Sequence, residues 1–397
     1  MNDQQTFQCN DQVQISHETM SSSRCLTNRQ MLLSSNSFER TVFGSICPIF
    51  IVLGSLGNAI NLTVLLSPVM RNRSWMLSYL AITDIFFLLF MLPHSLANYE
   101  AFALDMTFRS IYVRYKVHLL ALSNWASAAA IWLVLVICVE RLIGIRYPLL
   151  AKKYSTIGDK RCQLTSITCI VFLTGLLTCY THFSYVTKSR LFCNGTQLHA
   201  LDVAVDAPIW PRNRTNPSPI WLRNYVVWSK RIHEFLVVFI PTTAIIFANI
   251  MLFITLKRRS KFIASFDGKR SSTDTNGRHS HSRTEHKIAI TICAIVTCFT
   301  VTQAPSGIVS TTIGLIQYGG PRWKHNLLVI TNGMVVVGKS LNFALFCLSS
   351  ETFRNRLIML IKERFIDEKE RSGLHIIRKR YYTNNNNCKE FQPILSH

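Results

Sequence analysis

Seven long apolar runs dominate this 397-residue chain. They cover Thr41 to Pro68, Trp75 to Tyr99, Lys116 to Ile145, Leu164 to Val186, Tyr225 to Leu256, Ile288 to Ile316 and Asn326 to Leu348. At a rise of 1.5 Å per residue, runs of this length cross a hydrocarbon core of about 30 Å as helices. A lipid-facing backbone must satisfy its own hydrogen bonds, and only a helix or a closed barrel does so. The expected fold is therefore all-α: a seven-transmembrane helix bundle. Composition agrees, because 49% of the residues are apolar and only 16% are charged. A formal net charge of +22 raises the question of nucleic-acid binding. The apolar runs leave too little soluble chain for that, and basic cytoplasmic loops account for the excess instead.

The connectors give the orientation. Arg71 and Arg73 follow the first run, Arg146, Lys152, Lys153, Lys160 and Arg161 the third, and Lys257, Arg258, Arg259, Lys261, Lys269 and Arg270 the fifth. The tail after the seventh is again basic. These alternate connectors are expected inside, with the N-terminus outside and the chain multi-pass in the plasma membrane. The connector Thr187 to Asn224 is also basic, so the asymmetry is not clean. It holds two glycosylation sequons, at Asn194 and Asn213, which suit an outer loop. Residues 1–40 are polar, lack the pattern of a cleavable leader and are expected to be a disordered extracellular segment. The bundle is expected over 41–350. A short amphipathic membrane-surface helix follows over 351–365, where Phe353, Leu357, Ile358, Ile361 and Phe365 alternate with basic residues. Residues 366–397 read as a cytoplasmic tail.

Ser123 to Leu149 carries the most information. Its apolar stretch runs straight into Glu140-Arg141 with no turn residue between. A charged pair continuing an apolar helix suits a segment meeting water at the inner face.

Motifs in the right order carry a family resemblance across residues 41–365. They are Gly54-Ser-Leu-Gly57-Asn58 in run one and Leu80-Ala81-Ile-Thr-Asp84 in run two. Run three has Glu140-Arg141-Leu142 followed by Pro148-Leu149, and run five has Pro241 and Asn249. Phe299, Thr302, Gln303 and Pro305 stand in run six, and Asn342-Phe343-Ala-Leu-Phe346 in run seven. The chain resembles a rhodopsin-like (class A) G-protein-coupled receptor. The stretch Lys339 to Arg354 and the Thr-Gln-Ala-Pro of run six are similar to invertebrate FMRFamide-type neuropeptide receptors.

The resemblance implies a signalling receptor, not an enzyme, with no cofactor or metal. It implies as partners an extracellular peptide, a heterotrimeric G protein, arrestin and kinases. Arg141 is expected to pair with Glu285 at rest and to lose it when helix six swings outward about Pro305. The competing reading makes Glu285 a solvated helix-start acid. Ile131, Pro241 and Phe299 match the relay triad beneath the ligand, and Leu149 is expected to contact the G protein. Two departures stand out. The cysteine usual at the outer end of helix three is replaced by Lys116, so Cys193 must find another partner. Cys9, Cys25 and Cys47 stay open, with Cys193 to Cys25 the pairing taken. The buried Asp84, which in the family helps bind sodium, faces Lys339 and Asn342 here. We expect the Lys339 ammonium to stand in for sodium, unless its long stem carries it to another carbonyl-lined site.

Val336 occupies the position where an opsin needs its lysine, and Ser123 the position where an amine receptor needs its acid. The outer cavity is expected to hold His94, Ser123, Asn124, Ser127, His233, Glu234, Gln303, Ser310 and Asn332, each of which has an alternative reading as a satisfied interhelical polar group. Glu234 is the expected cation-binding residue, two turns above Pro241. A chemosensory or atypical receptor for a small molecule is the alternative, and a transporter a more distant one, since no internal repeat is visible.

Overall fold

Caps and prolines decide where the helices of this protein start. The computed structural model describes residues 24–68, 75–147, 160–208, 210–211, 214–267, 296–310, 312, 322–349 and 353–363. Asn36 caps the first long helix, its side chain accepting from Glu39 N–H at 2.7 Å. Helix α1 accordingly covers Ser37–Leu65, earlier than the apolar run suggests, and passes through a π-helical stretch at Arg40–Ile46. Helix α2 covers Trp75–Leu96 with Pro93 inside its last turn. Asp105 caps α3, accepting from Phe108 N–H at 2.6 Å, so α3 runs Met106–Arg146 and begins ten residues before the expected start at Lys116. Its 41 residues make a rod of about 60 Å, twice the hydrocarbon thickness.

Helix α4 covers Lys160–Thr178 and tightens into a 3-10 turn, Cys179–Phe183. Helix α5 covers Ile220–Thr255, starts after Pro219 and contains a second π-helical turn, Glu234–Phe239. Helix α6 is described over 296–310, α7 over Arg322–Ser349 and α8 over 353–363. Six of these helices are long and apolar enough to cross a membrane. The remaining one is the sixth run, α6, of which 288–295, 311 and 313–316 lie outside the described residues. The chain is a seven-transmembrane helical bundle, with rows of apolar side chains such as Phe172, Leu173, Leu176 and Phe247 turned outward from the bundle.

Small residues let the helices approach. Trp125 of α3 donates its indole N–H to Val171 O at 2.9 Å and lies over Gly175 of α4. Gly54 and Gly57 of α1 sit against Ser340 and Phe343 of α7, and Ser340 Oγ donates to Phe50 O at 2.7 Å. A Cβ at Gly54 would stand 2.8 Å from Ser340 Cα, which is backbone and cannot yield. Gly54→Val is therefore expected to destabilise the bundle by about 1–3 kcal/mol, read as a lower Tm of the purified protein. Leu133, Val134, Ile137, Ile167, Ile245 and Phe299 form the core in the half nearer Arg141; Phe43, Ile51, Phe87, Leu88 and Val336 fill the other half. Helix α8 docks through Phe353, fully buried against Val64 of α1, while Ile358 and Ile361 stay exposed.

Two strands that the sequence does not announce connect α4 to α5. Strands β1 (Tyr185–Phe192) and β2 (Gln197–Ala204) form an antiparallel hairpin with register from Tyr185↔Ala204 to Phe192↔Gln197. Neither alternates cleanly between apolar and polar faces, which is why period-2 patterning misses them. Cys193, Asn194 and Gly195 at the tip all take positive φ.

The expected disorder of residues 1–40 does not extend over the described part. From Arg24 on the segment is folded onto the hairpin. Leu26 and Gln197 exchange hydrogen bonds of 2.7 and 3.0 Å, Thr27 and Gln30 form a reciprocal capping box, and Cys25 is disulfide-bonded to Cys193. Arg109 of α3, only 1% exposed, donates to Leu198 O, Met31 O and Ala103 O and so joins the hairpin, the N-terminal segment and α3. Lys116 is ion-paired with Asp202 of β2. At the position where the resembled family has its disulfide cysteine, α3 thus meets the hairpin through an ion pair. Burial, then Arg109 and Lys116, hold the nearby His199 imidazole below its ordinary pKa.

Candidate functional site

A cavity of about 640 Å³ opens between α1, α2, α3, α5, α6 and α7 beneath the hairpin. Eight of the nine expected residues line it: His94, Ser123, Asn124, Ser127, His233, Gln303, Ser310 and Asn332. Glu234 does not. It belongs to the π-helical turn Glu234–Phe239, which inserts a residue into the helical register. Counting ordinary turns up from Pro241 therefore ends on the wrong face, and His233 takes the inward position.

Several lining groups are already committed. His94 Nδ1 is 2.9 Å from Tyr112 Oη, Ser123 Oγ donates to Leu120 O at 2.9 Å, and Ser306 Oγ donates to Asn332 Oδ1 at 2.8 Å. Gln303 is different. It is 8% exposed, and its Nε2 has no hydrogen-bond partner among the described residues. A buried amide N–H₂ left unpaired costs about 1–3 kcal/mol, which an acceptor brought in from outside would recover.

Sequence reasoning missed the acidic wall. Glu39 lines the cavity, accepting from Ser35 N–H at 2.7 Å and lying 3.3 Å from His325 Nε2. Asp202 and Lys116 line it as their ion pair. The spacing Asn36-x-x-Glu39 is that of an N-cap followed by an acid in the first turn, and it could have placed the start of α1 early enough to bring Glu39 into view.

Ile131 and Phe299 form part of the floor and pack into the core below it, with Ile245 between α3 and α5. Pro241 is buried in α5 just after the π turn and does not line the cavity. Under the floor lies the most buried polar cluster. Lys339 Nζ is 2.8 Å from Asp84 Oδ1, with both side chains at 0% exposure. Asn342 Nδ2 donates to Asp84 Oδ2, and Asn58 Nδ2 donates to Lys339 O at 3.0 Å. The same ammonium lies 5.0 Å from the Phe87 ring centroid and 6.0 Å from that of Phe299. Both rings also face the cavity, so the ion pair sits one layer of aromatic side chains below it.

At the other end of α3, Glu140 and Arg141 are half-buried, and Arg141 Nε has no hydrogen-bond partner among the described residues. Glu285 and Leu149 lie outside the described residues, as does Asn213. Pro305 is within α6. Phe346 lies on α7, but its side chain is outside the described set. Asn194 is exposed at the tip of the hairpin.

The comparisons agree with this architecture. The profile of the serpentine type 7TM GPCR chemoreceptor Srw family matches residues 45–364. A putative G-protein coupled receptor of Caenorhabditis elegans is 43% identical over 349 residues, 88% of this chain and 79% of its own length. A sex peptide receptor-related protein of the same species is 21% identical over 352 residues, 85% of this chain and 75% of its own. The FMRFamide receptor of Drosophila melanogaster is 23% identical over 353 residues, 87% of this chain but 58% of its own. These are receptors rather than enzymes, and the resemblance to FMRFamide receptors is distant beside the match to the nematode relative. A helical bundle around a cavity, with a match running from α1 through α8, shows that this chain is a multi-pass membrane protein belonging to the serpentine 7TM GPCR chemoreceptor family Srw.

Proposed function

We propose that this receptor binds the end of an extracellular, amidated peptide of the FMRFamide type in the cavity and activates a heterotrimeric G protein. The observation that carries the reading is Gln303, whose buried Nε2 is unpaired among the described residues, in the wall of a cavity that holds Glu39 on one side and aromatic rings at its floor. A peptide carbonyl satisfies the amide. A guanidinium meets Glu39, and a phenyl ring packs on Phe87, Phe90 and Met91. The Cys25 to Cys193 bond supports an outward-facing hairpin, since disulfides persist in oxidising compartments. Ligand contact with Phe299 and Phe87 bears on the rings above Lys339, and from there on α6 and α7. Outward movement of α6 about Pro305 then releases Arg141 from Glu285.

In reporter cells challenged with a panel of amidated peptides, at least one containing Arg-Phe-amide is expected to raise calcium or change cyclic AMP. Gln303→Leu should cost that peptide about tenfold in potency, equivalent to one hydrogen bond. Equal potency at the variant would remove Gln303 from the ligand site. A second reading is a chemosensory receptor for a small molecule, favoured by the description of the matched family. A response to small volatile or soluble compounds, with silence to every peptide, would select it.

A further inference from the structure

We propose that His118 and His182 form a transition-metal site, for Zn²⁺ or Cu²⁺, clamping α3 to the end of α4 on the hairpin side of the molecule. His118 is exposed on α3, and His182 is half-buried in the 3-10 turn that ends α4. Their Nδ1 atoms are 2.9 Å apart and their ring centroids 5.2 Å apart, tilted by 34°. Neither residue lines the cavity, and nothing in the signalling reading uses them.

The geometry is close to that of two ligands on one ion. Zn–N bonds of about 2.0–2.1 Å at a tetrahedral angle put the two nitrogens about 3.3 Å apart. Opening the present contact to that value takes a few tenths of an ångström, within the reach of small χ adjustments at two accessible side chains. In the metal-free pair, one Nδ1 must carry a proton and the other must not, so a single N–H···N bond holds the contact. A divalent ion takes that proton's place and is held by both lone pairs. Imidazole ligands select Zn²⁺, Cu²⁺ and Ni²⁺ over Mg²⁺ and Ca²⁺, which prefer oxygen. Among the described residues no third His, Cys, Asp or Glu completes a cluster here, so water fills the other positions. Such an open, two-ligand site binds far more weakly than a structural zinc and exchanges with the medium, as a modulatory site must.

The site adds to the contacts that α3 and α4 make nearer the middle of the bundle, among them Trp125 with Val171 and Ile137 with Ile167 in the core. A metal there fixes the spacing of α3 and α4 beside the base of the hairpin, which starts two residues after Phe183.

The test uses the purified full-length receptor in lipid nanodiscs, with His279→Ala and His281→Ala as background to remove the His-Ser-His of the connector between α5 and α6. Titration with Zn²⁺ should show one saturable site in the micromolar range and a rise in Tm. His118→Ala and His182→Ala should each weaken it by at least about tenfold, since even loss of an outer-shell partner costs that much at metal sites. The double variant, with no protein ligand left, should show no saturable Zn²⁺ binding in this range. On the background protein, without either of those two substitutions, bound Cu²⁺ should show two imidazole nitrogens by electron paramagnetic resonance. Unchanged Zn²⁺ binding in both single variants would overturn the proposal, as would no saturable binding below millimolar Zn²⁺. A Cu²⁺ spectrum with fewer than two imidazole nitrogens would overturn it too.

Discussion

Lys339→Met is expected to unfold this receptor or leave it barely stable. The substitution keeps most of the side chain's length but removes the ammonium, so Asp84 remains at 0% exposure with Asn342 as its remaining donor among the described residues. Breaking a buried ion pair by removing one partner costs about 3–5 kcal/mol, because the remaining charge has lost its solvent and its counter-ion together. That is a large fraction of the stability of a typical domain. The Asp84→Asn, Lys339→Met double variant should recover most of the loss, because two neutral groups of similar volume need no counter-ion. Thermal unfolding of the purified single and double variants measures both.

Sodium gives a second, independent readout. With the ammonium 2.8 Å from Asp84, the wild type should gain no stability from Na⁺ over K⁺. Lys339→Ala, which opens space beside the carboxylate, should gain Na⁺-dependent stabilisation. A wild type stabilised by Na⁺, or a Lys339→Met variant as stable as the parent, would mean that the pair is not the cation site of this bundle.

The second large effect is expected at Arg109. Its guanidinium serves three carbonyls, on Met31, Ala103 and Leu198. Hydrogen bonds to a charged group contribute about 1.5–3 kcal/mol each, but these carbonyls can partly rehydrate once freed. Arg109→Leu should therefore cost on the order of 3 kcal/mol rather than the full sum. The loss should be local. Hydrogen exchange should accelerate at Asn28–Met31 and in β2 while the amides of α2 and α7 stay protected. The Cys25 to Cys193 bond still holds the segment in this variant, so adding Cys25→Ser should cost more than the two single losses combined.

Lys116→Ala is a useful contrast. Lys116 and Asp202 keep 21% and 27% of their side-chain surface exposed, so solvent and salt screen the pair. About 1 kcal/mol or less is expected there, despite the place it takes in the resembled family. If Lys116→Ala proved the more damaging of the two, the anchoring of the hairpin would have to be reassigned from the buried guanidinium to the surface pair.

The helices themselves were legible in the amino-acid order, because lipid leaves a chain few choices. Long apolar runs must be helices, and Glu140-Arg141 at the end of such a run marks a membrane boundary wherever it occurs. The register of α2, α3 and α7 is uninterrupted from the resembled family's motifs to the cavity, so Asp84, Ser123, Asn332 and Lys339 could be assigned to the interior from that resemblance. Where an α-helical count was interrupted, the reading failed. The π turn at Glu234–Phe239 rotated Glu234 away from the cavity, and no residue pattern announces an extra residue in a turn. Glu39 was passed over because a polar N-terminal segment looks the same in sequence whether it is loose or folded onto a neighbour.

By itself, the order of residues determined the apolar helical runs, which follow from hydropathy over a window and the rise of a helix. The receptor architecture and most of the inward polar positions were legible through the motifs of the resembled family. The Cys25 to Cys193 pairing was taken from the sequence among three open candidates and is the one formed, but tertiary structure alone decided which other distant groups meet: Arg109 with the carbonyls of Met31 and Leu198, Lys116 with Asp202, and His118 with His182. Those pairings join positions far apart in the chain, and only the packing of the whole bundle brings their partners within bonding distance.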